Sequence, residues 1–492
     1  MPRKVVLYNP RAVFWTMPLA LIAVGSALDR AQYEVVIVDG RLEAQPMEAL
    51  LAQLDEATVC VGVTVLSGAP IRDALRASRA VKQARPDLPV VWGGWHPSLF
   101  PEQCLAEPSV DAVVVGQGEA TFAEIVQRLA NSQSLEGVAG CAYRNSQSAT
   151  PLRFAPGAIV SNPPSAILNP PRPFLDVNDL PPHDYALIDV ERYFAHKRKR
   201  QFDYISSQGC RFRCTFCADP TVFKRGWYGL DPGRMARELA EHHRRYGFEE
   251  ISFQDETFFT SRARVEAVAE AFLAAGAERA GRVAWTATMR ADQGARLDDA
   301  LLLKCKRSGL RRVMIGVESG SPEMLRCIKK DITLEQVYAS AERCARLGLG
   351  AILNFIVGFP GESDESVQAT LDVAARLRAL SPDFEAAIFY FRPYPGNPIA
   401  DELLREGYEF PSTLEAWADF DYVGGREAWV TPAQFQRIER FKFYQRYAFG
   451  HNRHPLRWPL HLVSRWRVDR HFYSFPLEKA IVEKLHPAPR LS

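Results

Sequence analysis

Short apolar runs alternate with longer amphipathic stretches over the first 130 residues. Residues 5–8, 35–38, 59–65, 89–92 and 111–115 are mostly apolar and β-branched, and Asn, Asp, Ser or Gly follows each. Runs of this length, apolar on both faces, predict strands buried in a parallel sheet. Residues 18–28, 47–54, 71–84 and 121–129 fall between them and predict helices, the first with Pro18 at its start. This alternation builds a doubly wound sheet, whose ligands bind beyond the carboxyl ends of the strands. The pattern then lapses. Pro163, Pro164, Pro170, Pro171, Pro173, Pro181 and Pro182 predict an extended surface connection, with a short strand at 138–144 and a solvated basic run at 197–200. Six strand-like runs follow, at 204–206, 250–253, 283–287, 312–317, 352–357 and 386–391, with helical segments between them. They predict a (β/α) barrel with its site at the strands' carboxyl ends. An aromatic helix is expected at 432–449. The predicted organisation is 1–135 sheet domain, 136–200 Pro-rich linker, 201–400 barrel and 401–492 helical extension.

The most chemically pointed stretch follows the first barrel strand. Cys210, Cys214 and Cys217 stand at the spacing C-x3-C-x2-C. Three thiolates so close suit iron–sulfur or zinc ligation. Structural zinc needs four ligands, and no fourth Cys or His follows at a usual spacing. A [4Fe–4S] cluster with three cysteines keeps one iron open for another ligand.

This stretch resembles the signature of the radical S-adenosylmethionine (SAM) superfamily. The resemblance implies that the open iron chelates SAM and that one electron cleaves it to a 5′-deoxyadenosyl radical. Phe216 matches the aromatic position beside the adenine. Other strand ends supply candidate SAM contacts: Asp255 and Glu256, Arg290 toward a carboxylate, and Glu318 toward the ribose. Glu318 lies in Gly316-Val317-Glu318-Ser319-Gly320, which resembles the family's glycine-rich motif. Asp255 could equally cap the segment that follows it. Six strand units fit the partial (β/α)6 barrel of these enzymes.

The first domain resembles the Rossmann-like cobalamin-binding domain that precedes many radical SAM modules. The matching pieces are 64–68, with Ser67 and Gly68; 93–97, with Gly93, Gly94 and His96; and 116–119, with Gly116, Gly118 and Glu119. The D-x-H-x-x-G motif that supplies a cobalt ligand elsewhere is missing. Cobalamin is therefore expected without a protein His on cobalt. The whole resembles the family that contains hopanoid methylases and the anaerobic cyclase of bacteriochlorophyll synthesis. It implies an α/β enzyme that methylates an unactivated carbon of a hydrophobic substrate, with cyclisation or rearrangement as the alternative.

Composition narrows the partners. A net charge of +2 over 492 residues leaves no nucleic-acid footprint. Scattered cysteines and the absence of a signal peptide or a span-length apolar run predict a cytoplasmic protein. The family resemblance implies a flavodoxin- or ferredoxin-type electron donor and a small-molecule substrate. Residues 451–492 carry eight Lys/Arg against three Asp/Glu, interleaved with Trp, Tyr and Phe. Such a tail either lies on an anionic inner-membrane surface, which would favour a lipid substrate, or packs on the barrel with a basic outer face.

Overall fold

The computed structural model describes residues 2–144, 166–277, 283–420, 425–451 and 458–485. They fall into two compact units. The first comprises Met1–Phe212, Phe216–Glu256 and Tyr394–Asp421; the second comprises Arg213–Thr215, Thr257–Pro393 and Tyr422–Ser492. The limits expected at 135, 200 and 400 do not mark these units, because the linker and the first barrel strands pack with the N-terminal elements.

In the first unit a seven-stranded sheet runs β2-β1-β3-β4-β5-β6-β7. Its strands are β1 (Arg3–Asn9), β2 (Tyr33–Asp39), β3 (Thr58–Thr64), β4 (Val90–Gly93), β5 (Ala112–Val114), β6 (Cys141–Arg144) and β7 (Ala166–Leu168). The first five are parallel, as their two-sided apolar pattern predicts. The last two are antiparallel additions that carry the sheet past residue 135. Pro163 and Pro164 lie outside the described residues. His96, expected in the strand-end segment 93–97, lies in a short helix, Trp95–Leu99, followed by another at Pro101–Ala106.

From residue 166 on, the linker is more ordered than its proline content suggests. It carries the helix Val190–Lys197, capped by the Asp189 carboxylate, and buries Tyr185 and Tyr193. The basic run is not wholly solvated. The Lys197 ammonium is buried and paired with Asp203, which also accepts from the Met17 amide at 2.7 Å. Burial pulls the Lys197 pKa down and pushes that of Asp203 up, against their mutual attraction.

Two barrel strands belong to this unit, β8 (Gln201–Tyr204) and, after the hairpin β9 (Ser207–Gly209) and β10 (Trp227–Gly229), β11 (Glu250–Phe253). β8 and β11 pair in parallel. The second unit holds β12 (Ala284–Arg290), β13 (Leu310–Glu318), β14 (Gly350–Val357) and β15 (Phe384–Tyr390), parallel neighbours in that order. The six strands alternate with helices along the chain, as a partial (β/α)6 barrel requires.

The second unit ends in the helix Pro432–Ala448, one residue short of the expected limit, and two more at Trp458–Asp469 and Leu477–Leu485. Phe441, Tyr444 and Tyr473 are buried, whereas Trp458, Trp466 and Phe475 are 60%, 51% and 80% exposed. Arg467 is buried and paired with Glu478 at 2.9 Å. Among the described residues no helix is long and apolar enough to cross a membrane.

Candidate functional site

At the carboxyl ends of the N-terminal sheet the first unit opens a cavity of about 230 Å³. Its rim is polar and small: Thr64, Gly93, Gly94, Gly116, Gly118 and Glu119. Its depth is apolar. Leu7, Leu21, Val91, Val114 and Phe122 line it and also belong to the buried core of the sheet. Gly62 lets Leu7 and Phe122 pack directly against the strand at the base of the slot. A Cβ there would stand 2.7 Å from Leu7 Cδ2 and 3.1 Å from Phe122 Cζ. An apolar slot below a rim of backbone amides suits a ligand with a planar apolar part and a polar periphery.

Five of the eight residues expected to meet cobalamin line this cavity: Gly93, Gly94, Gly116, Gly118 and Glu119. Ser67, Gly68 and His96 do not. His96 is fully buried, with Nδ1 3.1 Å from Ser67 Oγ and its ring against Phe100 and Trp417. Its Nε2 has no hydrogen-bond partner, and burial lowers its pKa to about 3. It holds the turn from behind as a neutral imidazole.

Residues outside the sheet complete the wall. Gln117 donates to Gln208 at 2.9 Å, and Gln208 donates to Glu119 at 3.0 Å. His183, from the linker, also lines the cavity, and burial lowers its pKa to about 4. The Pro-rich context around His183 gave no sign of this, because its position depends on a tertiary contact. Glu256 is exposed toward the cavity it lines and otherwise crowded by protein. Burial, followed by the nearby Asp219 carboxyl, raises its pKa to about 8. Asp219 is buried with neither carboxyl oxygen partnered, and burial raises it to about 7.

Asp255 has a different role from Glu256. Its buried carboxylate accepts from the Ser206 amide at 2.8 Å, the Ser206 hydroxyl at 2.7 Å and the Ser207 hydroxyl at 2.6 Å. It fixes the turn between β8 and β9, immediately before the cysteines. Phe216 lies within the cysteine loop, and its carbonyl accepts from Asn397 Nδ2 at 3.2 Å.

In the second unit the strand ends are charged. Cys214 is buried, and Arg290 Nη1 donates to its sulfur at 3.7 Å. Arg290 Nε donates to Asp292 at 3.0 Å and Nη2 to the Lys330 carbonyl at 2.5 Å. Each nitrogen of the guanidinium expected to face a ligand carboxylate thus has a protein partner. Thr215 N donates to the Ile328 carbonyl at 2.9 Å, so segment 328–330 holds both the cysteine loop and Arg290. Cys210 and Cys217 are half-buried. Among the described residues no three His, Cys, Asp or Glu side chains converge as a metal-ligand set.

Glu318 ends β13 in the left-handed region at φ +66, which is uncommon for a residue with a side chain. Its buried carboxylate lies 2.6 Å from Lys330 Nζ. A strained backbone at a strand end is a frequent mark of a functional position. Gly320 serves packing rather than ligand approach. A Cβ there would stand 2.3 Å from the Ala369 carbonyl oxygen, so its bareness admits the helix Asp364–Arg378.

Comparison with known proteins matches two family models, the B12 binding domain over residues 10–126 and the radical SAM superfamily over 204–374. An uncharacterised methyltransferase of Pyrococcus horikoshii is 30% identical over 80% of this chain and 81% of its own length. The cytidylyl-2-hydroxyethylphosphonate methyltransferase of Streptomyces wedmorensis is 26% identical over 83% of each chain. Among solved structures, the radical SAM methyltransferase TsrM of Kitasatospora setae, with cobalamin and a [4Fe–4S] cluster bound, superposes with a TM-score of 0.67. It covers 82% of this chain and 75% of its own at 18% identity, a likeness of fold.

Proposed function

This chain belongs to the cobalamin-binding radical SAM family, and on that premise we propose that Cys210, Cys214 and Cys217 hold its cluster while the glycine-rimmed cavity holds its cobalamin. The family fixes the class of chemistry: a radical SAM methyltransferase with a [4Fe–4S] cluster, SAM and cobalamin as cofactors. Bound, the cluster supplies the electron that cleaves SAM, and cobalamin supplies the methyl group.

The chain's residues divide the remaining work. Arg290 and segment 328–330 position Cys214, and Asp255 orders the turn before the loop. Phe216, Glu256 and Glu318 are the proposed SAM contacts. Gly93, Gly94, Gly116, Gly118 and Glu119 would meet the corrinoid's polar rim, and the slot between Leu7, Gly62 and Phe122 its planar benzimidazole tail. Burial beside the Asp219 carboxyl raises the pKa of Glu256 and so favours its protonated form in the cavity.

Methylation of an unactivated carbon is the reaction proposed, driven by reducing equivalents from a flavodoxin- or ferredoxin-type donor. The exposed Trp458, Trp466 and Phe475 of a basic tail support a lipid-like substrate met at a membrane surface. The observation that carries the reading is that one chain combines the C-x3-C-x2-C loop with a glycine-rimmed apolar cavity. The test is anaerobic turnover with SAM labelled in its methyl group, offered candidate hydrophobic substrates. Labelled product formed together with 5′-deoxyadenosine supports methyl transfer. Product without label and with 5′-deoxyadenosine would show cyclisation or rearrangement instead.

A further inference from the structure

Arg290 is placed to do more than fill a polar corner. It is 7% exposed and donates to the sulfur of Cys214. It cannot turn elsewhere without breaking its bonds to Asp292 and to the Lys330 carbonyl. The same segment holds the Thr215 amide, so donor and sulfur are fixed to one support. Asp292, also buried, is shared with Arg296 and sets the net charge around the guanidinium.

A thiolate that ligates iron gains electron density when its cluster is reduced by one electron. A charged N–H donor aimed at that sulfur therefore binds the reduced state better than the oxidised one. Hydrogen bonds to the sulfurs and local charge are among the main determinants of cluster potential. Burial strengthens the effect because water screens it little.

We infer that Arg290 sets the reduction potential of the cluster through its hydrogen bond to Cys214, with Asp292 as the opposing charge. Arg290 is a positioning and tuning residue here, and the electron itself comes from a low-potential one-electron donor. The inference rests on the assignment of Cys214 as a cluster ligand. It separates Arg290 from the SAM carboxylate, the partner its residue type first suggests.

The test is a potentiometric titration of the reconstituted full-length protein, followed by EPR of the reduced cluster. Arg290→Gln should lower the ratio of reduced to oxidised cluster at fixed potential by about tenfold, a shift of about 59 mV for one electron. Asp292→Asn should move the ratio the opposite way, and Arg290→Lys should restore part of the loss. A merely structural role would not give shifts of opposite sign. If Arg290→Gln fails to hold a cluster, Asp292→Asn decides: a rise supports the inference and an unchanged potential overturns it. Wild-type potentials in all three variants, with iron content intact, would overturn it. Wild-type protein that never takes up a cluster would overturn it together with the cysteine assignment beneath it.

Discussion

Two regions of this molecule obey one rule of α/β folds with opposite materials. Both present their chemistry at the carboxyl ends of parallel strands. At the N-terminal sheet the site is made by leaving side chains out: Gly62, Gly93, Gly94, Gly116 and Gly118 surround a slot lined by Leu7 and Phe122. At β12 and β13 the site is made by adding charge. Arg290, Asp292, Glu318 and Lys330 are all buried and bound to one another or to backbone, beside Cys214. The first region is built to admit a large ligand by shape. The second is built to hold charged groups where water cannot screen them. Substitutions should therefore fail in different ways, by filling in one region and by unbalancing charge in the other.

The largest effect is expected from the cysteines. Replacing Cys210, Cys214 and Cys217 together with Ala should abolish cluster absorbance and SAM cleavage while corrinoid binding survives. Iron retained by that variant at the wild-type level would break the assignment. Next is the slot. Gly62→Val should reduce corrinoid retention by at least about tenfold, or roughly 1.4 kcal/mol, through overpacking. Iron content should not change, so the ratio of cobalt to iron in purified protein is the readout. An unchanged ratio would mean that the slot is not the corrinoid site.

How much of this was legible beforehand follows from what each signal depends on. Strands β1 to β5 and β11 to β15 were readable because buried parallel strands need continuous apolar runs, which survive any tertiary context. The cysteine loop stood out because the spacing of its three thiols is local. His183 was not: a histidine in a proline-rich stretch becomes a cavity wall only when distant segments meet it. Arg290 was visible as a strand-end cation, but its engagement with Asp292, Cys214 and Lys330 depends on three separate segments. Gly320 is ambiguous for a similar reason, since a glycine that admits a helix and one that admits a ligand look alike in sequence. β6 falls within the short strand expected at 138–144, whereas β7 escaped because an antiparallel edge addition of three residues is too short for a period to show.

His96 sharpens the comparison through pH. Its pKa is held near 3, below the unfolded value of 6.5, so the folded state takes up fewer protons in between. The contribution is fully present above pH 6.5 and is lost as pH falls toward 3. Between about pH 7.5 and about pH 5.5 this group alone should remove about 1.3 kcal/mol of stability. His96→Gln should flatten that part of the pH profile in denaturant titrations. An identical slope in wild type and variant would show that the imidazole is not buried as described.

The smallest expected effect concerns the tail. Trp458, Trp466 and Phe475 are exposed on a basic extension. Each Lys or Arg close to an anionic bilayer contributes on the order of 1 kcal/mol. The full chain should co-sediment with anionic vesicles in a salt-sensitive way, and a chain ending at Phe449 should not. Equal absence of binding by both would favour a soluble substrate.

We propose that one chain holds a cluster on its cysteine loop and cobalamin in its glycine-rimmed cavity, and uses both. The most direct measurement is anaerobic reconstitution of the full-length protein with iron, sulfide and hydroxocobalamin, followed by metal analysis and incubation with SAM and a strong reductant. About four irons per chain, stoichiometric cobalt, and 5′-deoxyadenosine formed with electrons from the reductant are expected. Iron without cobalt, or both metals without any cleavage of SAM, would contradict it.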